Sequence, residues 1–232
     1  MQVPIDKTTS APIIVWLRLD LRLTDNPALK AATDSGRPVI PLYILDETPG
    51  GRPMGAASLW WLDKSLAALD ASLDRIGSRL VLRQGVAEAI LTDLVARTGA
   101  ATVVWNRLYD AASIARDTAI KSRLRDDGVV CHSFNAGLLN EPWTVSNGSG
   151  QPYKVFTPYW RAAREQIGEV RLDPAPTTLP APLVWPDSDA LEAWDLHPTR
   201  PDWSGGFSDW TPGESGAAER LDAFLQGPVG PL

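Results

Sequence analysis

The 232-residue chain is 44% apolar and carries a net charge of −6, enough apolar side chain for one or two cored domains and too much for a disordered tail. No 18-residue apolar run is present, which excludes a membrane-spanning helix, and the first dozen residues lack an apolar stretch before a small-residue cleavage site, so a cytoplasmic protein is expected. One cysteine (Cys131) and two histidines (His132 and His197) exclude a disulfide framework and a His/Cys zinc centre.

Charge and composition divide the chain. Residues 1–134 carry +1, whereas residues 135–232 carry −7 together with 13 of the 20 prolines and six of the ten tryptophans, which places a boundary near Phe134–Gly137. Neither part has the basic stripe that would neutralise a phosphate backbone, so direct DNA binding by this chain is not expected.

Along the first part, short apolar runs alternate with helix-length segments. Strands are predicted at Ile13–Leu17, Val39–Leu45, Arg79–Arg83, Thr102–Trp105 and Val129–Phe134, mostly apolar without clean alternation, as in strands covered on both faces. Asn26 before Pro27 reads as an N-cap and first helical residue. The next helix places Leu59, Leu62, Leu66, Leu69, Leu73 and Ile76 in one apolar stripe, and a third puts Ile90, Leu91, Leu94 and Val95 on one face. Gly36, Gly77, Gly99 and Gly128 each fall just past a helix and before a strand. Five strands with four right-handed crossovers predict an α/β fold, a doubly wound, Rossmann-like, five-stranded parallel sheet, for which the common order 3-2-1-4-5 is expected.

In that order, ligands bind beyond the carboxyl ends of the strands, between the loop Arg18–Asp25 and the loop Asn106–Asp110. The first of these, RLDLRLTDN, contains no glycine, so the tight turn of a dinucleotide pyrophosphate site is missing. Its alternating charges Arg18, Asp20, Arg22 and Asp25 read first as ion pairs and hydrogen bonds that tie the loop down. Asn26 and Asn106, and Arg116 and Asp117 in the helix after the fourth strand, read the same way. Cys131 and His132 point to opposite faces of a strand and make no dyad.

The run Val15-Trp16-Leu17-Arg18-Leu19-Asp20-Leu21-Arg22-Leu23-Thr24-Asp25-Asn26-Pro27-Ala28-Leu29 resembles the opening signature of the DNA photolyase/cryptochrome family. Four more blocks follow in family order: Gly55-Ala56-Ala57-Ser58 with Trp60-Trp61-Leu62; Trp105-Asn106-Arg107 with Tyr109-Asp110 and Ala115-Arg116-Asp117; Tyr153 through Trp160; and Trp210-Thr211-Pro212-Gly213-Glu214. The resemblance implies the antenna domain of a light-driven lyase, whose FAD in a C-terminal helical domain repairs pyrimidine dimers and receives excitation from an antenna chromophore. It divides the chain into an α/β antenna domain (1–134), an interdomain connector (135–210) and the start of a truncated helical FAD domain (211–232).

The same resemblance implies that the flavin-phosphate segment and the electron-transfer tryptophans belong to the missing FAD domain, a partner in cis or in trans. No catalytic residue is therefore assigned, and FAD is not expected to be retained. The antenna is a folate or a deazaflavin. Folate-binding members carry an Asn-Glu pair where Ala112 and Ser113 stand here, whereas deazaflavin-binding members match at Tyr43, Asp46 and Asp110 and differ at Leu19, where they have an arginine. Asp46 also reads as the polar end of a buried strand entering the turn Thr48–Pro53, and Asp110 as a helix cap. The five prolines between Pro174 and Pro186 predict an extended path, with Trp143, Trp160, Trp185, Trp194, Trp203 and Trp210 as anchors. Two rival readings remain open: a stand-alone nucleotide- or small-molecule-binding α/β protein, and the non-catalytic half of a split photolyase or cryptochrome.

Overall fold

The computed structural model describes Ile5 and residues 10–50, 53–167, 172–197 and 200–227. The tail at 228–232 and two residues of the Thr48–Pro53 turn lie outside the described residues. Five strands, β1 (Ile13–Leu17), β2 (Val39–Asp46), β3 (Val81–Gly85), β4 (Thr102–Asn106) and β5 (Val130–Phe134), alternate with four helices. These are α1 (Pro27–Asp34), α2 (Ala56–Asp74), α3 (Ala87–Thr98) and α4 (Ala111–Asp126). All pairings are parallel and the order is β3-β2-β1-β4-β5, as expected.

Every residue of β1 is buried because both faces of the sheet are covered. Its pleat sends Ile13, Val15 and Leu17 toward Leu29 of α1 and Leu62, Leu66, Leu69 and Leu73 of α2. Ile14 and Trp16 go to the other side, against Ile90, Leu91 and Leu94 of α3 and Ile120 and Leu124 of α4. Each such large side chain contributes about 1.5–3 kcal/mol of transfer free energy, which makes this two-sided core the main stabiliser of the fold.

Local chemistry sets the boundaries. The Asn26 side chain accepts from the Leu29 amide at 3.1 Å and Pro27 opens α1, while the four helix-closing glycines all adopt positive φ. β3 begins two residues later than the sequence suggests. The Ser78 amide is bonded back to Leu73 and the Leu80 amide to the Asp70 carboxylate, so this stretch closes α2 and is withheld from the sheet. β5 likewise starts at Val130, because the Val129 amide is spent on Leu124.

The second part contains a helix the sequence reading did not anticipate, α5 (Phe156–Gln166). Pro158 occupies its first turn, where a missing N–H breaks no intrahelical bond. Two short 3₁₀ turns, Leu191–Trp194 and Ser204–Phe207, precede α6 (Glu214–Gln226). Between α5 and these turns, the described connector from residue 172 forms neither helix nor strand, and hydrogen bonds pin it to the α/β part. Val39 donates to Pro180, Leu179 to Ile76 and Asp189 to Leu82, the last covering the free edge of β3.

The expected tryptophan anchors divide. Trp194 packs on Tyr43 with ring centroids 6.2 Å apart, and Trp185 lies under the Arg79 guanidinium at 4.8 Å. Trp143, Trp160, Trp203 and Trp210 instead remain exposed.

Candidate functional site

The order of strands reverses at β1 and β4, and the two loops leaving them are bound into one polar network. The Arg18 guanidinium holds both carboxylate oxygens of Asp117, at 2.9 and 2.7 Å, and donates to the Asn106 carbonyl. The Asn106 side chain donates to Asp20 (2.5 Å) and Asn26 (2.7 Å) and accepts from the Ala28 amide (3.1 Å). Arg22 donates to the carbonyls of Asp25 and Ala136 at 2.8 and 3.0 Å. Arg116 bridges Asp46 and Asp117 at 2.8 and 3.0 Å. Burial lowers the Arg18 pKa, with Asp117 opposing that shift. Polar groups bonded in this way hold the shape of a site and leave few partners for a ligand, although the buried Nε of Arg18 has no hydrogen-bond partner among the described residues.

Above the carboxyl ends of β1, β2 and β4 lies a cleft of about 940 Å³, lined among others by Trp16, Leu19, Tyr43, Asp46, Asp110 and Arg116. All three residues matched to deazaflavin-binding members therefore border one cleft, but they meet it differently. Tyr43 is buried with its ring on Trp194, and burial, then Asp46, raises its phenol pKa. Asp110 caps α4 by accepting from the Ser113 amide at 2.9 Å, and the Ser113 side chain, then that amide, lowers its pKa. Burial disfavours ionisation of Asp46, yet hydrogen bonds from Thr48, Arg116 and the Ala87 amide outweigh it and hold the pKa below the ordinary value. Leu19 projects from the rim with 76% of its surface exposed.

A second cavity of about 600 Å³ opens on the other side of Leu19 and Met54, between the β1 loop, α2 and the start of α6. Its lining is mostly apolar and includes Trp61 and Trp210, whose ring centroids are 6.3 Å apart. The wall that closes it is docked by Glu214, whose carboxylate accepts from the Leu23 and Thr24 amides, both at 2.8 Å. Gly213, at φ 101°, lets the chain approach α2 so closely that a Cβ there would lie 2.9 Å from that of Ala68. In the sequence Trp61 and Trp210 belong to two separate family-resemblance blocks, and Trp210 is expected as a connector anchor. Nothing in their local sequence announces that the two are neighbours.

Among the described residues no group of three or more His, Cys, Asp or Glu side chains is placed to hold a metal, and no helix is long and apolar enough to cross a membrane.

The DNA photolyase family model matches residues 13–182, which include the β1 loop and all residues named around the larger cleft except Trp194. The chain belongs to the DNA photolyase family. It is similar to a deoxyribodipyrimidine photo-lyase of Agrobacterium fabrum, at 53% identity over 94% of this chain and 45% of the relative. A bacterial class III photolyase structure from Agrobacterium tumefaciens superimposes with a TM-score of 0.88 at 52% identity, over 94% of this chain and 45% of that one. An archaeal photolyase from Sulfolobus tokodaii, described with two FAD molecules and an implied novel light-harvesting cofactor, shares the fold at a TM-score of 0.64 and 24% identity. That match covers 78% of this chain and 40% of the archaeal one. The chain thus spans less than half the length of the photolyase and cryptochrome relatives it matches first, and what it shares with them is the α/β part together with the segment after it.

Proposed function

We propose that this chain is the light-harvesting half of a photolyase, in which the larger cleft holds a planar heteroaromatic antenna chromophore of the deazaflavin or folate class. The observation that supports this most is the cleft itself. It lies at the reversal of strand order, where open α/β sheets bind ligands, and its size falls within the range of small-molecule sites. An apolar wall of Trp16, Leu19, Ile44, Met54 and Leu59 with carboxylates Asp46 and Asp110 at the edges suits a flat ring system bearing hydrogen-bond donors. When bound, the chromophore would absorb light and pass excitation to a flavin. The protein residues would position it and exclude water, and Arg116 would keep Asp46 ionised at the rim.

On this reading residues 1–134 form the antenna domain, 135–210 the connector and 211–232 the start of the flavin domain. The helical FAD domain is a partner supplied in cis or in trans, contact with DNA falls to that partner, and the protein works in the cytoplasm. The charged loop residues Arg18, Asp20, Arg22, Asp25, Asn26, Asn106 and Asp117 act as scaffold. A second seat for the chromophore is the smaller cavity, favoured by the pair Trp61 and Trp210 as an aromatic lining.

Titration of the purified protein with a 5-deazaflavin and with methenyltetrahydrofolate, followed by fluorescence anisotropy of the probe, tests both readings. Ala112→Trp, which fills the larger cleft, is expected to abolish binding while Trp61→Ala leaves it intact. The opposite pattern places the chromophore beside Trp61, and no binding by wild-type protein overturns the antenna reading.

A further inference from the structure

A chromophore held in the larger cleft faces a hazard from its own binding site. Trp16 belongs to the lining, and indole is the most easily oxidised side chain there. An excited heteroaromatic ring accepts one electron from a nearby indole into its half-vacant lower orbital, giving an indole radical cation and a chromophore radical anion. Their recombination returns the electron and releases the absorbed energy as heat, so the excitation never reaches an acceptor.

The surroundings of Trp16 oppose that step in two ways. First, two cations lie on its ring: the guanidinium carbons of Arg18 and Arg116 are 4.8 and 5.0 Å from the ring centroid. In the neutral ground state both are attractive to the ring face, but a positive charge on the indole would be repelled by both at short range in a buried setting. The carboxylates of Asp46 and Asp117 that pair with these arginines offset part of that repulsion. Second, the Trp16 Nε1 is buried and has no hydrogen-bond partner among the described residues. A radical cation on Trp16 has no base of its own to take the Nε1 proton, so the indole is not deprotonated in place. Trp105, edge-on to Trp16 with centroids 5.8 Å apart, differs on this second count, because its Nε1 donates to Asp117 at 3.1 Å.

We infer that Arg18 and Arg116 act as positioning residues that make Trp16 resistant to photo-oxidation, so that the wall of the cleft does not quench a bound antenna. The inference rests on the antenna reading and on the larger cleft as its seat.

The test uses wild-type protein loaded with whichever probe it binds, a 5-deazaflavin or methenyltetrahydrofolate, and reads the fluorescence lifetime and the transient absorption of tryptophan radicals. Arg116→Met is expected to shorten the lifetime several-fold with a tryptophan radical appearing in step. Arg116→Lys, which keeps the charge, should stay near wild type, and Trp16→Phe combined with Arg116→Met should restore the long lifetime. An unchanged lifetime in Arg116→Met, or a shortened one that Trp16→Phe does not restore, overturns the inference while leaving the antenna reading standing. Should Arg116→Met fail to fold, a tryptophan radical formed within the lifetime of the wild-type complex has the same effect. Failure of wild-type protein to bind either probe removes both.

Discussion

The two parts of the molecule use the same apolar side chains in opposite ways. Between β1 and β5 nearly every large apolar residue is enclosed between the sheet and its helices, and the charged loops above are bound into one another. Beyond residue 134 the chain is held at points: a few main-chain bonds, Leu179 and Leu196 inserted into the core, and Trp194 on Tyr43. Val155 and Phe156, at 62% and 72% exposure, and Trp143, at 62%, face outward there. The first part therefore carries its own stability, and the second borrows stability from the first while presenting an aromatic surface to whatever else the molecule contacts.

The largest effect expected from breaking this arrangement is in the polar network. Arg18→Met removes one of the two arginines that hold the buried Asp117, together with the bond to the Asn106 carbonyl, and should lower unfolding free energy by about 3–5 kcal/mol, measured by urea denaturation. A midpoint close to wild type would mean that the network is a surface feature and that the loops stand without it. The comparison of the two parts sharpens with a matched pair of truncations. Leu66→Ala, in the fully buried stripe of α2, should cost about 2–5 kcal/mol, whereas Trp160→Ala on α5 should change stability by less than about 0.5 kcal/mol despite the larger side chain removed. Equal losses would show that α5 is as firmly packed as α2.

A smaller and more local effect is expected at Glu214. Replacing it with glutamine leaves one acceptor for the two amides of Leu23 and Thr24, weakening the docking of α6 by about 1–2 kcal/mol. Hydrogen exchange should then accelerate in α6 and in the β1 loop without a matching shift of the global midpoint. Acceleration throughout the sheet would instead make α6 part of one cooperative unit.

How much of this was legible depends on whether the decisive contact is local. The Asn26 cap and the closing glycines follow from residues a few positions apart and were readable, whereas the strand order rested on the arrangement common to such sheets and not on a local signal. That Arg18, Asp20, Asn26 and Asn106 would take partners within the protein was readable from chemistry alone, since polar loop ends above a buried sheet require them. Their pairing was not, because Arg18 meets Asp117 across the crossover between β1 and β4. The same limit hid the cavity of Trp61 and Trp210 and the target of Glu214. The Pro-Gly-Glu run signals a helix start, but its carboxylate serves amides of a distant loop. α5 begins inside the run Tyr153 through Trp160, whose family resemblance carries no secondary structure, and its single buried residue, Ala163, leaves no apolar stripe to read.

The finest expected effect separates the rim of the cleft from the core beneath it by pH. Asp46 and Asp110 both have folded-state pKa values below the ordinary 3.8. For a group depressed in this way, the stabilisation is complete above the unfolded-state value and is lost as pH falls through the folded-state value. Stability from these two carboxylates is therefore constant from neutral pH down to about 4 and declines below that. At Asp46 protonation removes an acceptor from Thr48 and Arg116 and frees the turn after β2; at Asp110 it uncaps α4. Urea midpoints compared at neutral and acid pH should fall less in Asp46→Asn than in wild type, because the variant has already lost that proton-linked part. Parallel pH profiles for the two proteins would mean that Asp46 gains as little from its partners folded as it does unfolded, and that the cleft rim is held by Arg116 and Asp117 alone.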